Sequence, residues 1–351
     1  MTYRLSAKQR RQLDALTARF EPVVRDAFLA VADQIIRDAD FTRLMKAIET
    51  GSVRDVLRSI GIQAGSFNAL GDAMAVAYAA SGTAAMAMLP LVRDARGFKV
   101  NFQFNARNLR AERRLSGYLS GLIQDFTKEA EAATRATLAA GLKAGRNPRQ
   151  VAQELIGVYD PAQRKRVGGA LVLNRNQAEY VQRARAELSA GNPQALANYL
   201  TRTRRDKRFD GTVMKAMRGE IELSQAQINK LTLRYSERLL ITRANTIGQT
   251  EVMEALNSAR MEAGYQAAEQ AGVDPDQAEK VWIATTDSRT RDQHAHMNGV
   301  SVVGMDTPFT MPDGTQMQYP MDNSLGAGAS QTINCRCTYF VRLNFFARKD
   351  R

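Results

Sequence analysis

Four side chains concentrate the chemistry that this sequence advertises. Its only histidines, His294 and His296, come as His-x-His, and its only cysteines, Cys335 and Cys337, come as Cys-x-Cys. All four belong to the residue types that hold Zn2+ in tetrahedral sets. Alternation along an extended strand would turn each pair to one side, so two imidazoles and two thiolates could converge if the two segments were neighbours. The chemistry implied is a structural Zn2+ site. A catalytic zinc is not expected, because no glutamate base lies near the ligands in sequence, and no catalytic residue is nominated. A disulfide between Cys335 and Cys337 would close a very tight ring, which the geometry of that bond disfavours. Without a metal, the same residues read as two small buried thiols and a histidine hydrogen-bonded to a carboxylate such as Asp287 or Asp292.

A second chemistry is cationic. Lys and Arg number 49 against 36 Asp and Glu, giving +13 and a pI near 9.9. The excess lies in the middle, with 22 basic and 11 acidic residues over 101–220. Its densest pieces are Arg107, Arg110, Arg113 and Arg114, then Arg164, Lys165 and Arg166, then Arg202, Arg204, Arg205, Lys207 and Arg208. Such clusters can neutralise phosphates and release counterions. They can equally be solvated helix faces or dock on an acidic protein surface. No zinc finger or aromatic RNP box accompanies them, so sequence-specific base reading is not implied.

The elements that must position these groups are mostly helical. The chain is 44% hydrophobic and 24% charged, with nine prolines and 7% aromatics, a composition that suits a soluble, helix-rich protein. The fold class expected is mainly α, a long helical body with a small C-terminal α+β domain. The blocks expected are an N-terminal helical region over 1–100, a basic helical body over 101–280, and a terminal domain over 281–351 holding the His/Cys cluster. Leu13, Leu16, Phe20, Val24, Ala27, Val31 and Ile35 step along one helix face, with Pro22 marking a kink or a restart. Further helices are expected over 107–144, from Pro148, over 176–190, 193–206 and 223–270. In the last of these, Leu231, Tyr235 and Leu239 form an apolar stripe. Arg243, Thr246, Thr250 and Glu254 form a polar one, which reads as a hydrogen-bonded seam or a binding stripe.

Two segments invite other readings. Residues 73–92 are uncharged, long enough to cross a bilayer, yet made mostly of small residues and interrupted by Pro90. They read as a tightly packed core helix, and stable membrane insertion is not expected. Phe98, Val100, Phe102 and Phe104 alternate with polar neighbours, the pattern of a short strand or β-arm within 95–106. The opening residues lack the apolar run of a secretory signal, so export by the usual route is not expected. Two cysteines point to a reducing compartment.

The terminal residues also carry a family likeness. Val281-Trp282-Ile283-Ala284-Thr285, Asp287-Ser288-Arg289-Thr290-Arg291, His294, Met297-Asn298-Gly299 and Asn334-Cys335-Arg336-Cys337-Thr338 resemble, in order and spacing, the pattern of the phage Mu F-like head morphogenesis (minor head protein) family. The run from Arg243 to Glu251, with Asn257 and Arg260, is similar to the family's stretch before that pattern, and Asn147-Pro148-Arg149-Gln150-Val151-Ala152 to its upstream helix start. Trp282, Asp287, Arg289, Gly299 and Arg336 are the structural motif so marked. Some members carry Cys-x-x-Cys where this chain has Arg291 and His294, and a His where it has Thr332. His294, Cys335 and Cys337 are the matching ligand positions, with His296 or a carboxylate as the fourth. If no metal binds, Arg336 could pin the loop by pairing with Asp287.

The resemblance implies a virion protein of a tailed phage, made in the host cytoplasm and held inside the head at the portal vertex. The partners implied are the portal protein, double-stranded DNA contacted without regard to sequence, and capsid or scaffold protein. The roles implied are head assembly, DNA packaging or DNA ejection, without enzyme activity. The alternative is a metal-dependent nuclease or transferase using the His/Cys cluster. With 14 residues beyond Cys337, an added effector domain is not expected.

Overall fold

The computed structural model describes residues 4–89 and 98–344. Helices α1 (Ala7–Asp38), α2 (Phe41–Glu49), α3 (Val53–Ile60), α4 (Asn68–Met86) and α5 (Leu109–Lys143) come first. Then follow α6 (Pro148–Ile156), a hairpin of β1 (Val158–Asp160) and β2 (Lys165–Val167), α7 (Arg175–Ala190), α8 (Pro193–Thr201), α9 (Asp210–Met217) and α10 (Gln225–Ala271). The remainder alternates short elements: β3 (Glu279–Ile283), α11 (Asp292–His296), β4 (Ser301–Val303), β5 (Phe309–Thr310), β6 (Gln316–Met317), α12 (Ala329–Thr332) and β7 (Thr338–Arg342). The protein is mainly α with a small C-terminal α+β region.

Local chemistry explains several boundaries. The side chain of Asn147 accepts from the Gln150 amide while Gln150 reaches back to Asn147, and Pro148 supplies the first helical residue of α6. The same reciprocal cap, Asn174 with Gln177, starts α7. Pro22 lies inside α1 without ending it, and the chain instead restarts at α2, where Asp40 caps two amides.

The chain packs as two compact units. One comprises residues 28–69 and 120–244. Its core gathers Leu173, Val181, Leu188, Leu196, Tyr199 and Val213 around the α10 stripe Leu231, Tyr235 and Leu239. The other comprises residues 4–27, 70–119 and 245–344, with 90–97 outside the description. The packing boundaries fall inside α1, α4, α5 and α10 rather than at the expected positions 100 and 280. The cause is visible in the second unit. Met261 and Tyr265 of α10 share one core with Ala278, Met305, Tyr319 and Tyr339, so the terminal strands bury their apolar face on helix residues from before 280.

In that unit β3 is the central strand, antiparallel to β4 and β7, with Trp282 opposite Tyr339 and Ile283 opposite Thr338. β5 and β6 form a separate hairpin. The uncharged segment forms α4, with Leu70, Ala73, Met74, Ala77, Tyr78, Ser81, Gly82 and Met86 buried. Among the described residues no helix is long and apolar enough to cross a membrane. Pro90 and its two successors lie outside the described residues, as do residues 95–97. Over 98–106 the expected strand is absent, apart from a bridge at Lys99. Gln266 and Gln270 of α10 take the place of a neighbouring strand: each side-chain amide accepts from and donates to the backbone, at Asn105 and Gln103 respectively. The alternation is that of an extended chain, but its hydrogen bonds go to a helix.

Candidate metal centre

Three of the four nominated ligands meet. His294, on α11, places Nδ1 3.4 Å from Cys335 Sγ and 3.5 Å from Cys337 Sγ, and all three residues are at most 2% exposed. A tetrahedral zinc with ordinary bond lengths would separate a nitrogen from a sulfur ligand by about 3.5 Å. Both nitrogen–sulfur separations therefore fit that ion. His296 does not take part. The expectation of two inward histidines assumed a strand, whereas the segment is a helical turn, on which residues two apart point to nearly opposite sides. His296 is exposed, with Nδ1 2.7 Å from the Asp292 carbonyl oxygen. Nor does His294 bond to Asp287 or Asp292; its Nε2 lies 2.8 Å from Gln331 Oε1.

The cysteines sit in the turn leading into β7, fixed from several sides. The Cys337 amide points to Cys335 Sγ at 3.4 Å. Asn257, wholly buried on α10, donates to the carbonyls of Cys337 and Pro320, both at 3.0 Å, and accepts from the Thr338 hydroxyl at 2.8 Å. Arg260 donates to the Tyr339 carbonyl at 2.9 Å and to the Thr338 hydroxyl. Thr250 accepts from the amide of Asn334, whose backbone is left-handed. Thus Thr250, Asn257 and Arg260, stepping by seven and three along α10, splint the Cys-x-Cys turn. The hydrogen bond between the two thiols and the nearby imidazole draw the Cys337 thiol down from its ordinary range, while the same bond and burial push Cys335 up.

Around this centre the remaining motif residues close the loop. Trp282, fully buried, meets His294 edge-on at 5.8 Å and Phe309 at 5.3 Å. Gly299, at φ 87°, donates its amide to the Trp282 carbonyl, a turn that a side chain would strain. Arg336 grips Asp287 with two bonds of 2.7 Å, holding that carboxyl well below its usual range, and Thr285 bonds the Arg336 carbonyl at 2.8 Å. Arg289 approaches Asp287 from outside at 3.6 Å. Arg291 reaches the Ile333 carbonyl at 2.5 Å, tying the α11 loop to the cysteine turn without a sulfur ligand. Sequence reading passed over Gln331, Gln293 and Asp313. Nothing in their spacing separates them from other polar loop residues.

The twelve nominated cations divide. Arg110 forms bonds of 2.8–2.9 Å with Glu262 and Glu269, Arg202 is forked on Glu187, Arg205 on Asp210, and Arg208 on Asp206. Arg166 donates to the Gly157 carbonyl and lies over Phe41. Arg114 is half-buried. Arg107, Arg113, Arg164, Lys165, Arg204 and Lys207 are exposed, and among the described residues none has a carboxylate partner. About half of the nominated charge is thus occupied in holding the fold.

Comparison with known families returns one finding: residues 217–340 match the family described as Phage Mu protein F like protein. No curated protein and no solved structure matches the chain.

Proposed function

We propose that this chain, a phage Mu F-like protein through residues 217–340, is a minor head protein of a tailed phage that is held at the portal and contacts packaged DNA. The family match carries this reading, and the buried site supports it. The splint from α10, the β3–β7 sheet and the Arg336–Asp287 fork all serve to fix one loop, which suits a rigid attachment module. A non-enzymatic role is part of the proposal: the three donor atoms are buried, and among the described residues no carboxylate joins them within the cluster. Zn2+ would be held by His294, Cys335 and Cys337, and it would lock α11 to the cysteine turn as a structural cross-link.

The DNA contact is assigned to the exposed cations Arg107, Arg113, Arg164, Lys165, Arg204 and Lys207. Six phosphate contacts correspond to a log–log salt slope of about −5 at most for duplex DNA. Gel shifts on unrelated duplexes should show equal affinity, with a slope no steeper than that, and Arg204→Ala/Lys207→Ala should flatten it. Co-purification with the portal protein of the same phage tests the attachment. Failure to bind the portal would overturn the reading, and Mg2+- or Zn2+-dependent cutting of plasmid that His294→Ala abolishes would overturn it in favour of an enzyme.

A further inference from the structure

We propose that Gln331 sets the tautomer of His294, making Nδ1 the metal-ligating nitrogen, and that Asp313 in turn fixes the orientation of Gln331. Gln331 is thus a positioning residue for a divalent cation bound by the two thiolates. The inference takes its cation from the reading above; the tautomer stands independently of it.

For a neutral imidazole, only one placement of protons satisfies the contacts. Asp313 Oδ2 lies 2.6 Å from one terminal atom of the Gln331 amide. A carboxylate accepts and does not donate, so that atom is the nitrogen. The second proton of the same nitrogen goes to Gln293 Oε1, also at 2.6 Å. The amide oxygen therefore faces His294 Nε2 at 2.8 Å, and an oxygen that cannot donate requires the ring nitrogen to carry the hydrogen. A neutral imidazole has one such hydrogen, which leaves the lone pair on Nδ1. That atom faces both sulfurs, at 3.4 and 3.5 Å. The pattern is the outer-shell arrangement in which a histidine ligand donates its other N–H to a fixed acceptor, with an amide interposed before the carboxylate. It joins three short elements: α11 supplies the ring, α12 the amide, and the turn between β5 and β6 the carboxylate. Gln331 is buried, so water does not offer an alternative partner.

The test uses the full chain labelled with 15N-histidine. The chain has two histidines, so His296→Gln assigns the spectrum. At pH 8.5, above the ordinary imidazole range, two-bond proton–nitrogen correlations should show His294 protonated at Nε2. Zn2+ or Cd2+ should then shift Nδ1 alone. Gln331→Leu should weaken Zn2+ affinity tenfold to a hundredfold. Gln331→Glu combined with Asp313→Asn reverses the donor and acceptor at the outer contact but keeps an acceptor on His294, and it should restore affinity to within a few-fold. Asp313→Ala, on an exposed turn, gives an intermediate loss should Gln331→Leu fail to fold. A proton on Nδ1, metal ligation through Nε2, or wild-type affinity in Gln331→Leu would overturn the proposal. If the chain binds no Zn2+ but shows the Nε2–H form, lost in Gln331→Leu, the metal reading fails and the positioning role stands.

Discussion

Glu251 and Glu254 lie buried one turn apart on α10, Glu251 receiving the Tyr118 hydroxyl at 2.5 Å and Glu254 the Tyr319 hydroxyl at 2.8 Å. Burial raises both carboxyls, Glu251 from 4.5 to about 7. For a carboxyl whose folded pKa lies above its unfolded one, stability is highest where both states are protonated. It then falls as pH climbs from 4.5 to about 7, and is flat above. The loss amounts to about 3 kcal/mol. Glu251→Gln should therefore raise the melting temperature more at pH 8 than at pH 5, as thermal denaturation at the two values will show. An equal effect at both would mean that Glu251 stays ionised when buried. At this scale the sequence exposed the rare residues: two histidines and two cysteines in one region, and Asp287 with Arg336 as a ready fork. It concealed the common ones. Gln331 carries no spacing relation to His294, and only the fold places them 2.8 Å apart. His296 was misjudged because His-x-His says nothing about whether its backbone is strand or helix.

Packing between elements turns on close approaches such as that of α4 to the segment at 98–106. Gly82 faces the ring of Phe104 so closely that an added Cβ would stand 2.2 Å from it, and Tyr78 contacts the same ring at 5.8 Å. Alanine at 82 would gain helix propensity of about 1 kcal/mol. Overpacking against the ring opposes that gain and should win, for a net loss of about 1–2 kcal/mol. In a Phe104→Ala background the clash is gone, so the sign should reverse. Urea denaturation of the four chains of this cycle checks it, and additivity would show that the two residues do not press on each other. Helix periodicity was legible, and the polar stripe of α10 is hydrogen-bonded, but as a seam between helices only at Arg243, which bonds Glu129 of α5, since Thr250 and Glu254 bond Asn334 and Tyr319 of the terminal loops. The period-two run was legible as extended backbone but not as a strand. Side-chain amides of Gln266 and Gln270 can close the same hydrogen bonds that a neighbouring strand would, and no pattern in residues 98–104 reveals which partner is used.

For the molecule as a whole, the sequence conveyed a mainly helical chain with a small terminal α+β region, and it conveyed the likeness to the phage Mu F-like family that residues 217–340 match. It did not convey the units, because burial of β3 and β7 on Met261 and Tyr265 is a non-local relation that composition does not record. Net charge overstated the free cationic surface for a related reason: an arginine forked on a distant carboxylate, as Arg110 is on Glu262, reads the same in sequence as one facing solvent. The role proposed at this scale is that of a minor head protein, and counting it in particles tests that most directly. Quantitative mass spectrometry of purified DNA-filled particles from the encoding genome should find this chain at a few copies per portal ring, retained after external protease treatment. Its absence from particles that contain the portal and are infectious would contradict the account.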